Sequence, residues 1–489
     1  MKTLRSYSPR RAVQLTIAGS LALGVALRPD DASAQQPPVG TWTGVLEGVA
    51  LQMIFHFAEA SSGGFEGTMD VPAQGASGVP LGSVVFESGG LSFLIPSAPG
   101  GAGYEGIWSD DEQMFRGTFS QSGQSFTLNL SLRDSEDTGP ARPQTPEGPF
   151  PYEAVDVRFS NTTAGIELAG TLSVPAGDGP YPAVVTITGS GPQDRDETIL
   201  GHRPFAVIAD HLTRQGIAVL RFDDRGVGES GGDFASATSL DFADDAQAAV
   251  GFLRSRPEID PRRIGLIGHS EGGLIAPIIA SRSADVAFLV LLAAPGVSGE
   301  NVLYEQSRLI GKAAGLPETD TERNAVLQRE LFRIVLDERN ADIAAPKLRA
   351  ALERSLDEMT DAQLAQAGVT PETRERFIAG QVAFVNSAWM RVFLTHDPAE
   401  PLSKVTVPVL ALSGSLDLQV SAEQNLAVIE RSLGAAGNQD YTIRELDGLN
   451  HLFQPATTGA PGEYARIEVT IDPSVLDLVT EWILARFGG

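Results

Sequence analysis

Gly268-His269-Ser270-Glu271-Gly272 joins a short apolar run, Arg263-Ile264-Gly265-Leu266-Ile267, to a stretch of small and apolar residues, Gly273-Leu274-Ile275-Ala276-Pro277-Ile278-Ile279-Ala280. The first run suits a buried parallel strand and the second a packed helix, so the five residues between them form a sharp strand-to-helix turn. The glycines let the backbone pass without clashes, and the serine is pushed out of the sheet. The pattern by itself occurs twice. Gly228-Glu229-Ser230-Gly231-Gly232 also matches, but it follows the loop Asp224-Arg225-Gly226-Val227 and runs into Asp233 and Phe234 with no helix opening on it. Context therefore assigns Ser270 as a nucleophile and Ser230 as a loop residue.

A serine hydroxyl is a poor nucleophile until a histidine takes its proton and a carboxylate orients that histidine. Past the run Val407–Leu412, the turn Ser413-Gly414-Ser415-Leu416-Asp417 puts a carboxylate at the C-terminal end of an expected strand. Past Tyr441–Leu446, Asp447-Gly448-Leu449-Asn450-His451 puts a histidine in a loop. Asp397 and Asp447 compete with Asp417, which is preferred for its place after the core strand. Among the six histidines, His56 falls in an all-β region, His202 and His211 flank or lie in an early helix, His269 adjoins the nucleophile and His396 precedes a linker. His451 fits the base position best.

A tetrahedral oxyanion needs two backbone donors. The amide of Glu271 is one; the other comes from Gly189-Ser190-Gly191-Pro192, with Ser190 preferred and Gly191 second. Asp194, Arg195 and Asp196 follow that loop and are expected to brace it, as Asp223, Asp224 and Arg225 brace the turn before Ser230. Trp389 and Phe393 read as core residues, with Arg391 between them a lesser candidate for holding an acidic substrate group. No His-Glu-x-x-His, phosphate-loop lysine or calcium-loop spacing is present, so no metal and no cofactor is expected. The absence of cysteine excludes thiol nucleophiles, thiolate metal sites and disulfides.

Along the chain, Lys2, Arg5, Arg10 and Arg11 precede an apolar stretch from Ala12 to Leu27, and Ala32-Ser33-Ala34 offers a small-residue cleavage site before Gln35. Residues 1–34 are expected to be a signal peptide, which implies a periplasmic or secreted protein. Its removal takes away five basic and two acidic side chains, so the net charge of −26 becomes −29. So acidic a surface repels nucleic acid and anionic lipid, and no later run is long enough for stable membrane insertion.

After a short N-terminal segment, 35–40, residues 41–133 alternate as short strands: Thr41–Glu47, Ala50–Ala58, Phe65–Val71, Pro80–Glu87, Leu91–Pro96, Tyr104–Ser109, Met114–Ser120 and Ser125–Leu132. They imply a small all-β, barrel-like domain. A linker rich in Pro, Gly and acidic residues covers 134–151. From 152 to 299 and again from 401 to 489, strands alternate with helices in a doubly wound α/β pattern. Residues 300–400 are helical and charged, and are expected to form a cap above the C-terminal edge of the sheet.

These features resemble the α/β-hydrolase superfamily over 152–489. The Ser270 turn, Asp223-Asp224-Arg225-Gly226-Val227-Gly228-Glu229-Ser230, the Asp417 turn and the His451 loop carry the likeness. More narrowly, Thr188-Gly189-Ser190-Gly191-Pro192-Gln193-Asp194-Arg195-Asp196 and Leu449-Asn450-His451-Leu452-Phe453 are similar to a group of exported bacterial serine hydrolases, esterases and peptidase-like proteins that carry a β domain in front. The chain departs from that group at Thr188, where many relatives place histidine. The resemblance implies the fold and a serine hydrolase; the residues themselves lead to hydrolysis of a small-molecule carboxylic ester through Ser270, His451 and Asp417, with an acyl-enzyme. The alternatives are a peptidase acting on short peptides, or a ligand-binding β domain beside a secondary hydrolase domain.

Overall fold

The computed structural model describes residues 38–46, 51–60, 63–71, 76–95, 102–121, 124–132, 141–366, 369–371 and 374–488. The expected signal peptide, and the linker as far as residue 140, lie outside these residues.

The first sheet holds β1 (Gly40–Leu46), β2 (Leu51–Glu59), β3 (Phe65–Val71), β4 (Ala76–Pro80), β5 (Gly82–Glu87), β6 (Gly90–Ile95), β7 (Ala102–Ser109), β8 (Met114–Gln121), β9 (Gln124–Thr127) and β10 (Leu130–Leu132). Its order is β4-β3-β2-β1-β10-β8-β7-β6-β5, with β9 on β8, and β3 approaches β5 so that the sheet nearly closes. Alternation on β2 buries Met53, Phe55 and Phe57, which meet Phe93 and Tyr104 from the strands opposite. Phe55 and Phe93 lie 4.9 Å apart and Phe93 and Tyr104 stack at 5.1 Å, so aromatic rings fill the interior. Gly117 is required under the Tyr104 ring, where a Cβ would lie 2.2 Å from the hydroxyl oxygen.

The strands differ from expectation in two places. β4 has no counterpart among the expected strands: the expected strand Pro80–Glu87 is β5 from Gly82, Pro80 ends β4, and at Leu81 the chain leaves one end of the sheet for the other. The expected strand Ser125–Leu132 is divided into β9 and β10. Between β9 and β10, Asn129 offers its side-chain oxygen to Gly117 N at 3.3 Å, which interrupts the ladder.

The second sheet comprises β11 (Glu153–Asn161), β12 (Ile166–Val174), β13 (Tyr181–Ile187), β14 (Ala218–Phe222), β15 (Ile259–His269), β16 (Phe288–Leu292), β17 (Val409–Gly414) and β18 (Tyr441–Leu446), in the order β11-β12-β14-β13-β15-β16-β17-β18. β11 and β12 are an antiparallel hairpin, β12 is antiparallel to β14, and every later pair is parallel. Period-two alternation sends side chains to opposite faces. Val185, Leu266, Leu291 and Ala411 join the core under α2 (Ser239–Arg254), α3 (Glu271–Arg282) and α11 (Ala422–Ala435). Val184, Ile267, Val290 and Leu410 join the core under α1 (Pro204–Arg214) and α12 (Pro473–Phe487). This is the expected doubly wound arrangement, with both faces covered.

The chain moves from β13 outward to β14 and then returns to β15 on the other side of β13, so the winding reverses between β13 and β15. Loops leaving neighbouring strands in opposite directions open a crevice at their C-terminal ends, and ligands of such sheets bind there. Between β16 and β17 the chain inserts α4 (Gly299–Ala313), α5 (Glu318–Asp337), α6 (Ala341–Asp357), α7 (Asp361–Gln366), α8 (Arg374–Val385), α9 (Ala388–Thr395) and α10 (Ala399–Leu402). The insertion has its own small core, including Phe332, Leu348, Leu352 and Met390.

Candidate active site

Ser270 lies between β15 and α3 with φ 51° and ψ −115°, a left-handed backbone that a β-substituted residue adopts at a cost of about 1–3 kcal/mol. The turn is tight enough to demand glycine on either side. A Cβ at Gly268 would lie 2.1 Å from Gly272 O, and one at Gly272 would lie 2.1 Å from Ile187 O. Ser270 N donates to Leu292 O at 2.9 Å, which pins the turn to the neighbouring strand. Ser230 is placed quite differently. Its Oγ donates to Asp223 O at 2.7 Å and accepts Ala169 N at 2.9 Å, so the hydroxyl is occupied and buried.

Asp417 and His451 are brought together. His451 Nδ1 is 2.8 Å from Asp417 Oδ2, and Asp417 Oδ1 accepts the amides of Gln419 and Val420, each at 2.8 Å. A carboxylate with its other oxygen so occupied requires a proton on Nδ1, which leaves Nε2 with its lone pair. Asp397 instead accepts Ala399 N, and Asp447 accepts Ser415 Oγ. Among the described residues no hydrogen bond joins Ser270 Oγ to His451, but both line one cavity of about 210 Å³ with Gly189, Ser190 and Glu271. The cap covers it with Leu303, Trp389 and Phe393.

Around this cavity, the amide of Gly189 is occupied by Glu197 Oε1 at 2.6 Å. The amides of Ser190 and Glu271 have no acceptor among the described residues, and Glu271 N belongs to the first turn of α3, where the helix leaves such groups unpaired. The loop carrying Ser190 is fastened below by Asp224, which accepts Thr188 Oγ1 at 2.9 Å and Gln193 N at 3.0 Å. Thr188 thus uses its hydroxyl where relatives are expected to have an imidazole. Burial pushes the Asp224 carboxyl up to about 8, against the pull of these donors. Arg195 grips Asp223 with two bonds, of 3.0 and 2.7 Å, and Asp196 pairs with Arg221. Arg225 grips Asp245 in the same way, at 2.6 and 2.9 Å. Bracing by acids and arginines is what the two charged turns do.

The Glu271 side chain, buried beside the nucleophile, accepts Ser239 Oγ at 2.6 Å and Trp389 Nε1 at 2.8 Å. Burial raises its pKa, while these donors hold it down. Trp389 stacks on Phe393 at 5.0 Å, so this pair both packs the cap and lines the cavity. Arg391 does not reach the cavity as a substrate anchor: it donates to Glu338 O at 2.7 Å, Val335 O at 3.3 Å and the Asn386 side chain, all within the cap. Two buried residues at the site have no role assigned from the sequence: Glu197, which is not singled out there, and His269, which is passed over as the base. The first is the fourth charged residue of Asp194-Arg195-Asp196-Glu197, and its partner is 72 positions away.

The chain matches the serine aminopeptidase S33 family over residues 203–454, a little more than half its length. That span contains Ser270, Asp417 and His451. It is 28% identical over 319 residues to esterase EstD of Thermotoga maritima, an alignment that covers 65% of either chain. It is 32% identical over 127 residues to the uncharacterized protein YfhR of Escherichia coli K12, covering 26% of this chain and 41% of that one. The match thus spans less than two thirds of the length of each relative. Among solved structures, an esterase of Pyrococcus furiosus aligns over 72% of this chain and 99% of its own, at 17% identity and a TM-score of 0.42.

Proposed function

The chain belongs to the serine aminopeptidase S33 family, and from that premise we propose that it is a serine hydrolase that cleaves a carboxylic ester through an acyl-enzyme. The observation that carries the reading is the buried His451–Asp417 bond of 2.8 Å on the same cavity as a serine held at φ 51°. Ser270 Oγ attacks the ester carbonyl while His451 Nε2 takes its proton. Asp417 holds the imidazole in the required tautomer and stabilises the imidazolium. The amides of Ser190 and Glu271 receive the oxyanion, which is worth more in a site closed by the cap than in water. His451 then protonates the leaving alkoxide, and water, activated by the same imidazole, releases the acid.

A cavity of about 210 Å³ is below the range usual for drug-sized ligands, which favours a small or medium acyl group. The relative EstD carries the name esterase, which supports ester over amide. The ring-filled interior of the first sheet gives no comparable support to ligand storage there. We also read residues 1–34 as an export signal; N-terminal sequencing of the protein recovered outside the cytoplasm should begin at Gln35.

The test is hydrolysis of matched p-nitrophenyl esters and aminoacyl p-nitroanilides by the mature protein and by Ser270→Ala. Ester turnover that disappears in the variant, with anilides untouched, supports the proposal. Anilide cleavage that disappears in the variant favours a peptidase, and turnover that survives in the variant overturns the mechanism.

A further inference from the structure

Glu197 and His269 have no part in the chemistry above, yet they lie at its centre. His269 ends β15 one residue before Ser270 and is buried. Its Nδ1 is 2.9 Å from Glu197 Oε1, and its Nε2 is 3.0 Å from the backbone oxygen of His451. A carbonyl only accepts, and Glu197 Oε1 already accepts Gly189 N at 2.6 Å, as a carboxylate does. Both ring nitrogens therefore face acceptors, and only an imidazolium satisfies both. A neutral ring would set a lone pair against an oxygen in a buried place, which is unfavourable.

The surroundings favour this assignment. Asp417, from the loop after β17, adds a negative potential at His269. Burial is the strongest single influence on His269 and opposes its charge, but Glu197, the His451 carbonyl and Asp417 together outweigh it and the pKa rises. Among the described residues Glu197 Oε2 is buried with no hydrogen-bond partner, which a counter-charge this close compensates. Glu197 also adopts φ 53°, and left-handed non-glycine residues persist where surrounding structure requires the side chain in one place.

We infer that Glu197 and His269 are a buried carboxylate–imidazolium pair that positions the hydrolytic site, tying the oxyanion loop through Gly189 N, and the base loop through His451 O, to the turn that presents Ser270. Three segments distant in sequence meet on one ion pair. The inference rests on the assignment of Ser270 and His451 given above. Both line the cavity, and the His269 ring lies 4.8 Å from that of His451, but no reaction step is assigned to either; they act by placing the groups that react. A displacement of about 1 Å in such groups costs on the order of 100-fold in rate.

The test uses the mature chain with ring-15N histidine, in the wild type, Glu197→Gln and His269→Gln. The His269 signals are assigned by their loss in His269→Gln or, should that variant not fold, by their change in Glu197→Gln, which keeps the shape and removes the charge. At pH 7 the wild-type His269 ring should show two protonated nitrogens, and Glu197→Gln should show one. In parallel, kcat on a p-nitrophenyl ester should fall about 10- to 100-fold in Glu197→Gln with KM within about twofold, since positioning acts on the transition state. A neutral His269 ring in the wild type overturns the ion pair, and an unchanged kcat in a folded Glu197→Gln overturns its positioning role. The spectrum needs no turnover, so a wild type inactive on esters would count against the hydrolase reading alone.

Discussion

Ser230 and Ser270 occupy the same five-residue pattern forty positions apart, and the chain uses them in opposite ways. At Ser230 both hydrogen-bonding directions are taken: Asp223 O accepts the hydroxyl proton and Ala169 N donates to its oxygen. At Ser270 the backbone is held in the left-handed region and the hydroxyl lines a cavity. The lesson is that the pattern specifies glycine-permitted tightness, while the following segment decides the outcome. Only Ser270 is followed by a helix, whose first amide, that of Glu271, has no acceptor among the described residues. A functional group is recognised by a bonding capacity kept open, and a structural one by a capacity already filled.

The largest effect that could break this contrast is a serine exchange. Ser270→Ala should lower kcat by about 10⁴-fold or more while leaving the melting temperature near that of the wild type. Ser230→Ala should do the reverse, losing about 1–3 kcal/mol of stability in a denaturant titration because Ala169 N is left unpaired, with turnover retained. Equal effects at the two sites would erase the distinction. Next, Asp417→Asn should cost about 10⁴-fold in kcat, since an amide donating to Nδ1 imposes the wrong imidazole tautomer. A loss of a few-fold would show that the 2.8 Å bond is structural.

The smallest effect concerns a histidine on the filled side of the comparison. His202 is fully buried, with Nδ1 at 2.9 Å from Thr470 Oγ1 and Nε2 at 3.1 Å from Tyr464 O, and burial pushes its pKa down from 6.5 to about 4. A lowered pKa means that its contribution is fully present above pH 6.5 and is lost as pH falls toward 4, up to roughly 3 kcal/mol. The melting temperature should therefore drop over that interval, and His202→Gln should flatten the drop. An unchanged slope would place the acid sensitivity elsewhere.

Much of the fold was legible because local signals agreed. The alternation on β2, the buried runs of β13 to β17 and the strand-to-helix turn at Ser270 are each written in neighbouring residues. The chain order Ser270, Asp417, His451 was legible for the same reason, since Ser270 and Asp417 follow buried core runs and His451 follows the last expected strand, the edge strand β18. What stayed hidden depends on distance. The helix α11 between β17 and β18 was not anticipated, although Ser421 and Ala422-Glu423 open it. The extra strand β4 and the division of β9 from β10 turn on Leu81 and Asn129, whose roles exist only once the sheet has curled. Glu197 reads as one more charge in an acidic turn until folding brings it against His269. Arg391, flanked by aromatics, suggested a substrate anchor and proved to be occupied by carbonyls of its own cap.

The most direct test of the central claim is covalent labelling of the mature protein with an alkyl fluorophosphonate, followed by peptide mass spectrometry. The account predicts one phosphonyl group per chain, on the peptide containing Ser270, with none on the peptide containing Ser230 and strongly slowed labelling in His451→Ala. Labelling at Ser230, or labelling of Ser270 at the same rate without His451, would contradict it.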